Sequence, residues 1–374
     1  MKVLFERTKS RLINVKVLFN AGSLKEKKAG TAHLLEHIIL DEDNETFKQL
    51  KNRANLLNGY TTQDCVVFFV NSVLSEELIY VLQDIYKILF ESEVTKEKLE
   101  RQKKIVLQEI REYSSCEKIE FVNFLSDVSS LPIHSEIGNI ESLNNIDIYD
   151  VQEYKDKYLT ESNCVLKVSG SISRGLCRKI KKHFETSSCD IFSENSFLYS
   201  RKEKIVELNL NICHTFILFP SEGLFSLNKI YYELFLIYFF SEISDFWKDI
   251  RDENAWSYFI DYETMFIEDS GFLVVQVDSK KSDIHNICES LKRHLNEMCF
   301  SNDLFLLAKR CLFKRICDDY DKDVNDEAKM KRFLQDKTFS FNEQVRFLKN
   351  ITFDAFVDFS KNLIRNGYSL LIEQ

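Results

Sequence analysis

At 374 residues, with 44% hydrophobic content and 31 phenylalanines, the chain can bury one large core or two ordinary ones. The formal net charge of −9, with both signs mixed along the chain, offers no basic patch of the kind a phosphate backbone needs, which argues against nucleic acid as a partner. Two prolines and nine glycines leave little room for low-complexity linkers.

The opening MKVLFERTKS lacks the apolar core of a signal peptide, so the expected location is cytoplasmic. INVKVLFNAGS (13–23) reads as a strand that turns at Gly22. From Ala29 the pattern becomes helical, with Leu34, Leu35, Ile38 and Ile39 as its apolar stripe. A second helix is expected over 44–57 and a strand over 60–72. Amphipathic helices follow over 75–90, with Ser75 as N-cap, and over 95–113, with Thr95 as N-cap. A strand over 163–173 and a helix near 174–185 close the first half. The polar, unpatterned TSSCDIFSENS (186–196) is the expected boundary, dividing the chain into domains 1–190 and 200–374.

The plan then restarts, with a strand over 204–220, a long helix over 226–250, strands in WSYFIDYETMF and SGFLVVQVDS, and helices after them. The most apolar run, IYYELFLIYFF (230–240), is interrupted by Glu233 and is too short to span a bilayer, so it reads as a buried helix. The fold class expected from this order is α+β, in two similar halves. Ten cysteines without a CxxC pair read as reduced thiols, mostly in the core.

KAGTAHLLEHIILDEDN (28–44) carries the chemistry. His33 and His37, at i and i+4, project from one helix face at the separation two nitrogen ligands need to share one Zn²⁺. Glu36 lies one turn from His33, where a carboxylate can take a proton from a zinc-bound water. The order His-x-x-Glu-His is that of the inverzincins. A helix with two histidines at its solvated edge fits the pentapeptide as well. A third ligand is available on helix 95–113, where Glu109 lies against the stripe Leu99, Val106, Ile110 and Tyr113. A buried salt bridge is the alternative for Glu109, and Glu112, on the polar side with Gln108, is its competitor.

With these residues the chain resembles the pitrilysin-type inverzincin metallopeptidases, in particular their short, mitochondrial-processing-peptidase-like and bacterial branch. NAGSLKEKKAGTAHLLEH carries the run with the two zinc histidines and the glutamate, LNGYTT (57–62) resembles the substrate-strand segment, and KKIVLQEI (103–110) ends on the segment that supplies the third ligand. KDIRDENAWSY resembles the Arg…Tyr segment, seven residues apart. The resemblance implies a zinc endopeptidase with one Zn²⁺ on His33, His37 and Glu109, with Glu36 as general base and Arg251 and Tyr258 assisting catalysis. It also implies a substrate strand at Asn58, Gly59 and Tyr60, where Gly59 leaves an extended peptide room to approach. Two α/β-sandwich domains of mixed sheet and helices would form half of a four-domain chamber, completed by a second copy or a related chain and admitting short or unfolded peptides. A non-catalytic subunit of a heterodimer and a dedicated maturase for one ribosomally made peptide are the alternatives. Gln102 departs from the family, which usually has a glutamate seven residues before the third ligand.

Overall fold

The structure, a computed structural model, describes residues 1–113, 116–186, 198–267, 269–297, 299–322 and 326–374. The expected boundary at 186–196 lies outside the described residues from 187 onward. Two compact units are present. The first takes in Met1–Ser115, Pro132–Ser193 and Glu327–Lys337, and the second Cys116–Leu131, Glu194–Asp326 and Thr338–Gln374.

The first unit is built on β1 (Lys2–Arg7), β2 (Ile13–Phe19), β3 (Leu57–Thr61), β4 (Val66–Val73) and β5 (Cys164–Gly170), in the spatial order β1-β5-β2-β4-β3. β1 runs parallel to β5 and the other neighbours are antiparallel. The period of two sends Val15, Val17, Phe19, Val66 and Phe68 into the main core against the helices. Leu18, Cys65, Val67 and Val165 face the other side, where Met330 and Leu334 of helix Asp326–Leu334 cover them. Charged pairs ring that contact. Lys331 reaches Asp64 at 2.5 Å, the Lys329 ammonium pairs with Glu6, and Glu6 also pairs with the buried Lys167.

The second unit repeats this plan. β6 (Glu203–Val206), β7 (Cys213–Glu222), β8 (Ser257–Ile267), β9 (Ser270–Ser279) and β10 (Ser369–Glu373) lie in the order β6-β10-β7-β9-β8, with β6 parallel to β10 and the rest antiparallel. Each strand occupies the place of its counterpart five strands earlier, so the repeat expected from the pattern is present in the hydrogen bonding. Helix Cys116–Val128, from the first half of the chain, joins this unit through Glu120, 2.8 Å from Lys204, and Phe121, 4.6 Å from Phe216 between ring centroids.

Several expected elements are corrected. The strand expected over 60–72 is the hairpin β3–β4, whose turn is closed by the Thr62 N–H on the Cys65 carbonyl at 2.8 Å. The strand over 204–220 is two strands, β6 and β7, separated at Asn209, which has φ of 56°. The long helix over 226–250 stops at Phe240. Its end is set by serines: the Ser241 hydroxyl donates to the Ile237 carbonyl at 2.5 Å, and Ser244 caps a new turn at Trp247 N at 3.1 Å. The helix expected from Ser75 runs over Leu78–Tyr86 with Glu77 at its N-cap position, so Ser75 is not the cap. The helix over 44–57 ends at Asn52. Among the described residues no helix is long and apolar enough to cross a membrane. The described cysteines are free thiols, with Cys65, Cys164 and Cys213 buried and Cys299 exposed.

Candidate metal centre

Helix Thr31–Ile39 buries Leu34, Leu35, Ile38 and Ile39 in the core, which turns His33, Glu36 and His37 to its other side. Its first turn is held by an unusual cap. Gly30 occupies the N-cap position at φ 91° and has no side chain to offer, so Glu26 supplies the acceptor. One Glu26 oxygen accepts from Gly30 N at 2.6 Å and the other from Ala32 N at 2.7 Å. Burial pushes the Glu26 carboxyl up to about 8, against these hydrogen bonds and the nearby His33 charge.

Helix Lys96–Tyr113 buries Leu99, Val106 and Ile110, and this fixes the direction of Glu109. Its Oε2 stands 3.2 Å from His33 Nε2 and 3.5 Å from His37 Nε2. One ligand atom from each of the three residues lies within 4.8 Å of the others. Glu112 is exposed and accepts from Gln108 at 2.8 Å. For His33, burial opposes a charge, but hydrogen bonds to Glu109 and Glu36, and their charges, outweigh it and raise the pKa to about 9. His37 is lowered, first by burial and then by the charge of His33. Glu109 is lowered, chiefly by its hydrogen bond to His33.

Glu36 is 5% exposed and is held from two sides. The Thr61 hydroxyl donates to its Oε2 at 2.8 Å, and His33 Nδ1 lies 3.5 Å from the same oxygen. Gly59 is on the same face of β3 as Thr61. A Cβ on Gly59 would lie 3.1 Å from Glu36 Cγ and Oε1, so the missing side chain leaves room for Glu36 itself. The expectation that Gly59 makes room for an incoming peptide is refined accordingly. Among the described residues β3 is an edge strand of its sheet, paired with β4. Asn58 is exposed on it. Tyr60 points to the opposite face, where its hydroxyl bonds Glu327.

Arg251 and Tyr258 belong to the second unit. Arg251 sits in a π-helical turn, Lys248–Glu253, exposed, with its guanidinium 5.0 Å from the Trp247 ring centroid. Tyr258, at the start of β8, is 86% exposed.

Two contributors to the site escaped the sequence reading. Thr61 was within reach, because it lies two residues from Gly59 on one strand face. Glu26 lies in a loop before the helix and left no periodic signal.

The family model described as insulinase (peptidase family M16) matches residues 2–131. The uncharacterized zinc protease YmxG of Bacillus subtilis (strain 168) is 22% identical over 309 residues, covering 76% of this chain and 73% of that protein. The beta subunit of the mitochondrial-processing peptidase of Caenorhabditis elegans is 23% identical over 194 residues, 49% of this chain. The aligned part is 42% of that subunit, so the match spans less than half its length. Among solved structures, a protease from Helicobacter pylori superimposes with a TM-score of 0.81 at 14% identity, covering 100% of this chain and 96% of that one. A peptidase M16 inactive domain from Pseudomonas fluorescens gives 0.81 at 12% identity, covering 99% and 95%. At these identities the structures establish the fold, and the resemblance to the pitrilysin-type peptidases read from the motifs is borne out.

Proposed function

On the premise of this M16-type fold and family segment, which support a peptidase-type function, we propose that the chain is a zinc-dependent endopeptidase in which His33, His37 and Glu109 hold the ion and Glu36 is the general base. The observation that carries this reading is the spacing of the donors. Tetrahedral Zn²⁺ with ligands at about 2.0–2.1 Å sets neighbouring donor atoms about 3.3 Å apart. The Glu109 oxygen lies 3.2 and 3.5 Å from the two Nε2 atoms, and one donor atom from each of the three residues lies within 4.8 Å of the others, so the set closes on the ion when its side chains draw together. Two nitrogens and one carboxylate oxygen are also the ligand chemistry of catalytic zinc, which keeps a further position open.

When bound, Zn²⁺ supplies a Lewis acid for the scissile carbonyl and lowers the pKa of water towards about 7. The protein's own groups do the rest. Glu36 removes the proton of the attacking water and returns it to the leaving amine. The hydrogen bond from Thr61 fixes which Glu36 oxygen is left for that exchange. The edge strand β3 at Asn58, Gly59 and Tyr60 takes an extended peptide by backbone hydrogen bonds, which asks little of the peptide's sequence. Arg251 grips a substrate carbonyl, and Tyr258 donates to the oxyanion. Their exposure supports a role against a second chain, a copy of this one or a relative, so that two chains enclose the chamber. Short or unfolded peptides are the substrates such a chamber admits.

The similarity to an M16 inactive domain favours one other reading, a subunit that binds peptides without cutting them. Zinc content and cleavage of a mixed peptide library, for wild type and Glu36→Gln, separate the two. The peptidase reading expects about one zinc per chain in both proteins and cleavage by the wild type alone. Wild-type protein that binds no zinc overturns it. Wild-type protein that binds zinc but cuts only when a related chain is added makes it half of a heterodimer.

A further inference from the structure

Helix Asp326–Leu334 touches every strand of the first sheet. Met330 and Leu334 lie in one cluster with Leu18 of β2, Val67 of β4 and Val165 of β5, and Leu4 of β1 and Tyr60 of β3 pack against that cluster. On β1, Lys2 donates to the Leu334 carbonyl at 2.6 Å. On β3, at the far end of the sheet order, the helix holds on by charge. The Tyr60 hydroxyl donates to Glu327 Oε1, and the Lys16 ammonium of β2 stands 3.9 Å from the same oxygen. One turn later Lys331 holds Asp64, in the β3–β4 turn, at 2.5 Å, and both side chains of that pair are largely buried. Charge-assisted hydrogen bonds of this kind are roughly twice as strong as neutral ones. β3 is therefore held on both faces. Thr61 points inward and donates to Glu36 at 2.8 Å, and Tyr60, one residue earlier, points outward to Glu327. Tyr60 and Asp64 each find their partner 267 positions further along the chain.

We propose that Glu327 is a positioning residue for the peptide-binding strand: through the Tyr60 hydroxyl it holds β3 in the conformation that receives an extended peptide. This role rests on the peptide-binding reading of β3 above and deepens it. A peptide that adds to a sheet edge gains its affinity from a row of backbone hydrogen bonds, and these need the edge straight and fixed before the peptide arrives. Ordering the strand at the moment of binding would subtract from that affinity. An edge strand has a sheet neighbour on one side only, so its order depends on what its two faces touch. Gly59 brings no side chain to the inner face, which leaves Thr61 there and Tyr60 outside as the side chains that fix the middle of the strand. The Lys331–Asp64 pair fixes its end.

The test compares wild type, Glu327→Ala, Tyr60→Phe, the double variant of the two, and Asp336→Asn, which breaks the pair with Lys2 at 2.8 Å and does not touch β3. Amide hydrogen exchange of residues 57–61 is measured in the full chain, with KM and kcat for the best-cut member of a mixed peptide library. Glu327→Ala and Tyr60→Phe should each speed exchange in 57–61 and raise KM about tenfold, with kcat within about twofold. That is the low end for loss of a hydrogen bond to a charged group, because the Glu327 side chain is 36% exposed. The double variant should be no worse than the weaker single one, since both remove one interaction. Asp336→Asn should behave as wild type. A merely structural role would speed exchange in β1 and β5 as well and leave KM unmoved. Unchanged exchange or unchanged KM in Glu327→Ala overturns the positioning role, and additive losses in the double variant overturn its action through Tyr60. Wild-type protein that cuts no peptide overturns the peptidase reading alone. Binding of the fluorescein-labelled library, read by anisotropy, then decides: about tenfold weaker binding by Glu327→Ala upholds the role, and equal binding, or none by wild type, overturns it. If Glu327→Ala fails to fold, Tyr60→Phe, which loses only a hydroxyl, decides.

Discussion

Zinc binding should release a proton from His33, and the site's own geometry sets the amount. In the metal-free chain the His33 ring lies between two carboxylates, with Nε2 3.2 Å from Glu109 and Nδ1 3.5 Å from Glu36. Those partners overcome burial and raise its pKa to about 9. The ion needs the lone pair of a neutral imidazole, so the proton must leave. At pH 7 the protonated form outweighs the neutral one by roughly 100-fold, a penalty of about 2.7 kcal/mol on binding at about 1.36 kcal/mol per pH unit. The other two ligands add little, because His37 and Glu109 are both lowered and are already deprotonated at pH 7. Apparent affinity should therefore rise about tenfold per pH unit from 7 towards 9 and then flatten. Calorimetric titration at pH 7 in buffers of different ionisation enthalpy gives the proton count directly. Any ionisation of water on the ion can only add to it. A release well below one proton per ion, or an affinity flat between pH 7 and 9, would show that His33 is not held charged between Glu36 and Glu109.

The same shifts govern the stability of the metal-free protein. His33 is raised above its unfolded value, so its contribution is complete below pH 6.5 and is lost as pH rises through about 9. Glu26, raised to about 8, follows the same sign, with its contribution lost as pH rises from 4.5 through 8. Thermal melts of the metal-free chain should therefore fall between pH 6 and 9, and zinc should reduce the dependence by taking His33 out of the balance; a melting temperature that climbs over this range would contradict both assignments. Gly59→Val should drive Glu36 out of place and cut turnover about 100-fold while zinc content, read by metal analysis, stays at the wild-type level; full activity would mean that Glu36 has room the structure does not show. Leu34, fully buried in the core on helix Thr31–Ile39, should cost about 2–5 kcal/mol on truncation to Ala in denaturant unfolding of the metal-free chain.

The site was more legible in the sequence than the fold around it, for physical reasons. Two imidazoles at i and i+4 must share a helix face, and a carboxylate against an apolar stripe must be paired, which made Glu109 a candidate; the resemblance put it with His33 and His37, and the structure brings the three side chains together. Glu112, its competitor on the polar side of the helix, is exposed. Periodicity does not show where polar side chains interrupt a pattern. The β3–β4 turn has neither Gly nor Pro and is closed by Thr62, whose hydroxyl also bonds Cys65, so the two strands read as one. Ser241 and Ser244 likewise end a helix whose apolar run gave no warning. β1 was missed because it is short and its apolar run Val3, Leu4 and Phe5 is bracketed by the charged Lys2, Glu6 and Arg7, of which Glu6 pairs with Lys167.

Helix Asp326–Leu334 has a further consequence, for the order in which the molecule can be made. Residues 327–337 belong with the first unit, and Lys2 donates to the Leu334 carbonyl across 332 positions of sequence. Until that segment leaves the ribosome, Leu18, Val67 and Val165 have no cover, and the amino-terminal sheet waits with one greasy face open to water. Helix Cys116–Val128, made early, must likewise wait for the strands it joins. Neither unit has all its segments before nearly the whole chain exists, and until then it shows the kind of apolar surface that chaperones bind. Cutting the gene at the midpoint would not yield two working domains. It would leave each without a helix the other had carried for it.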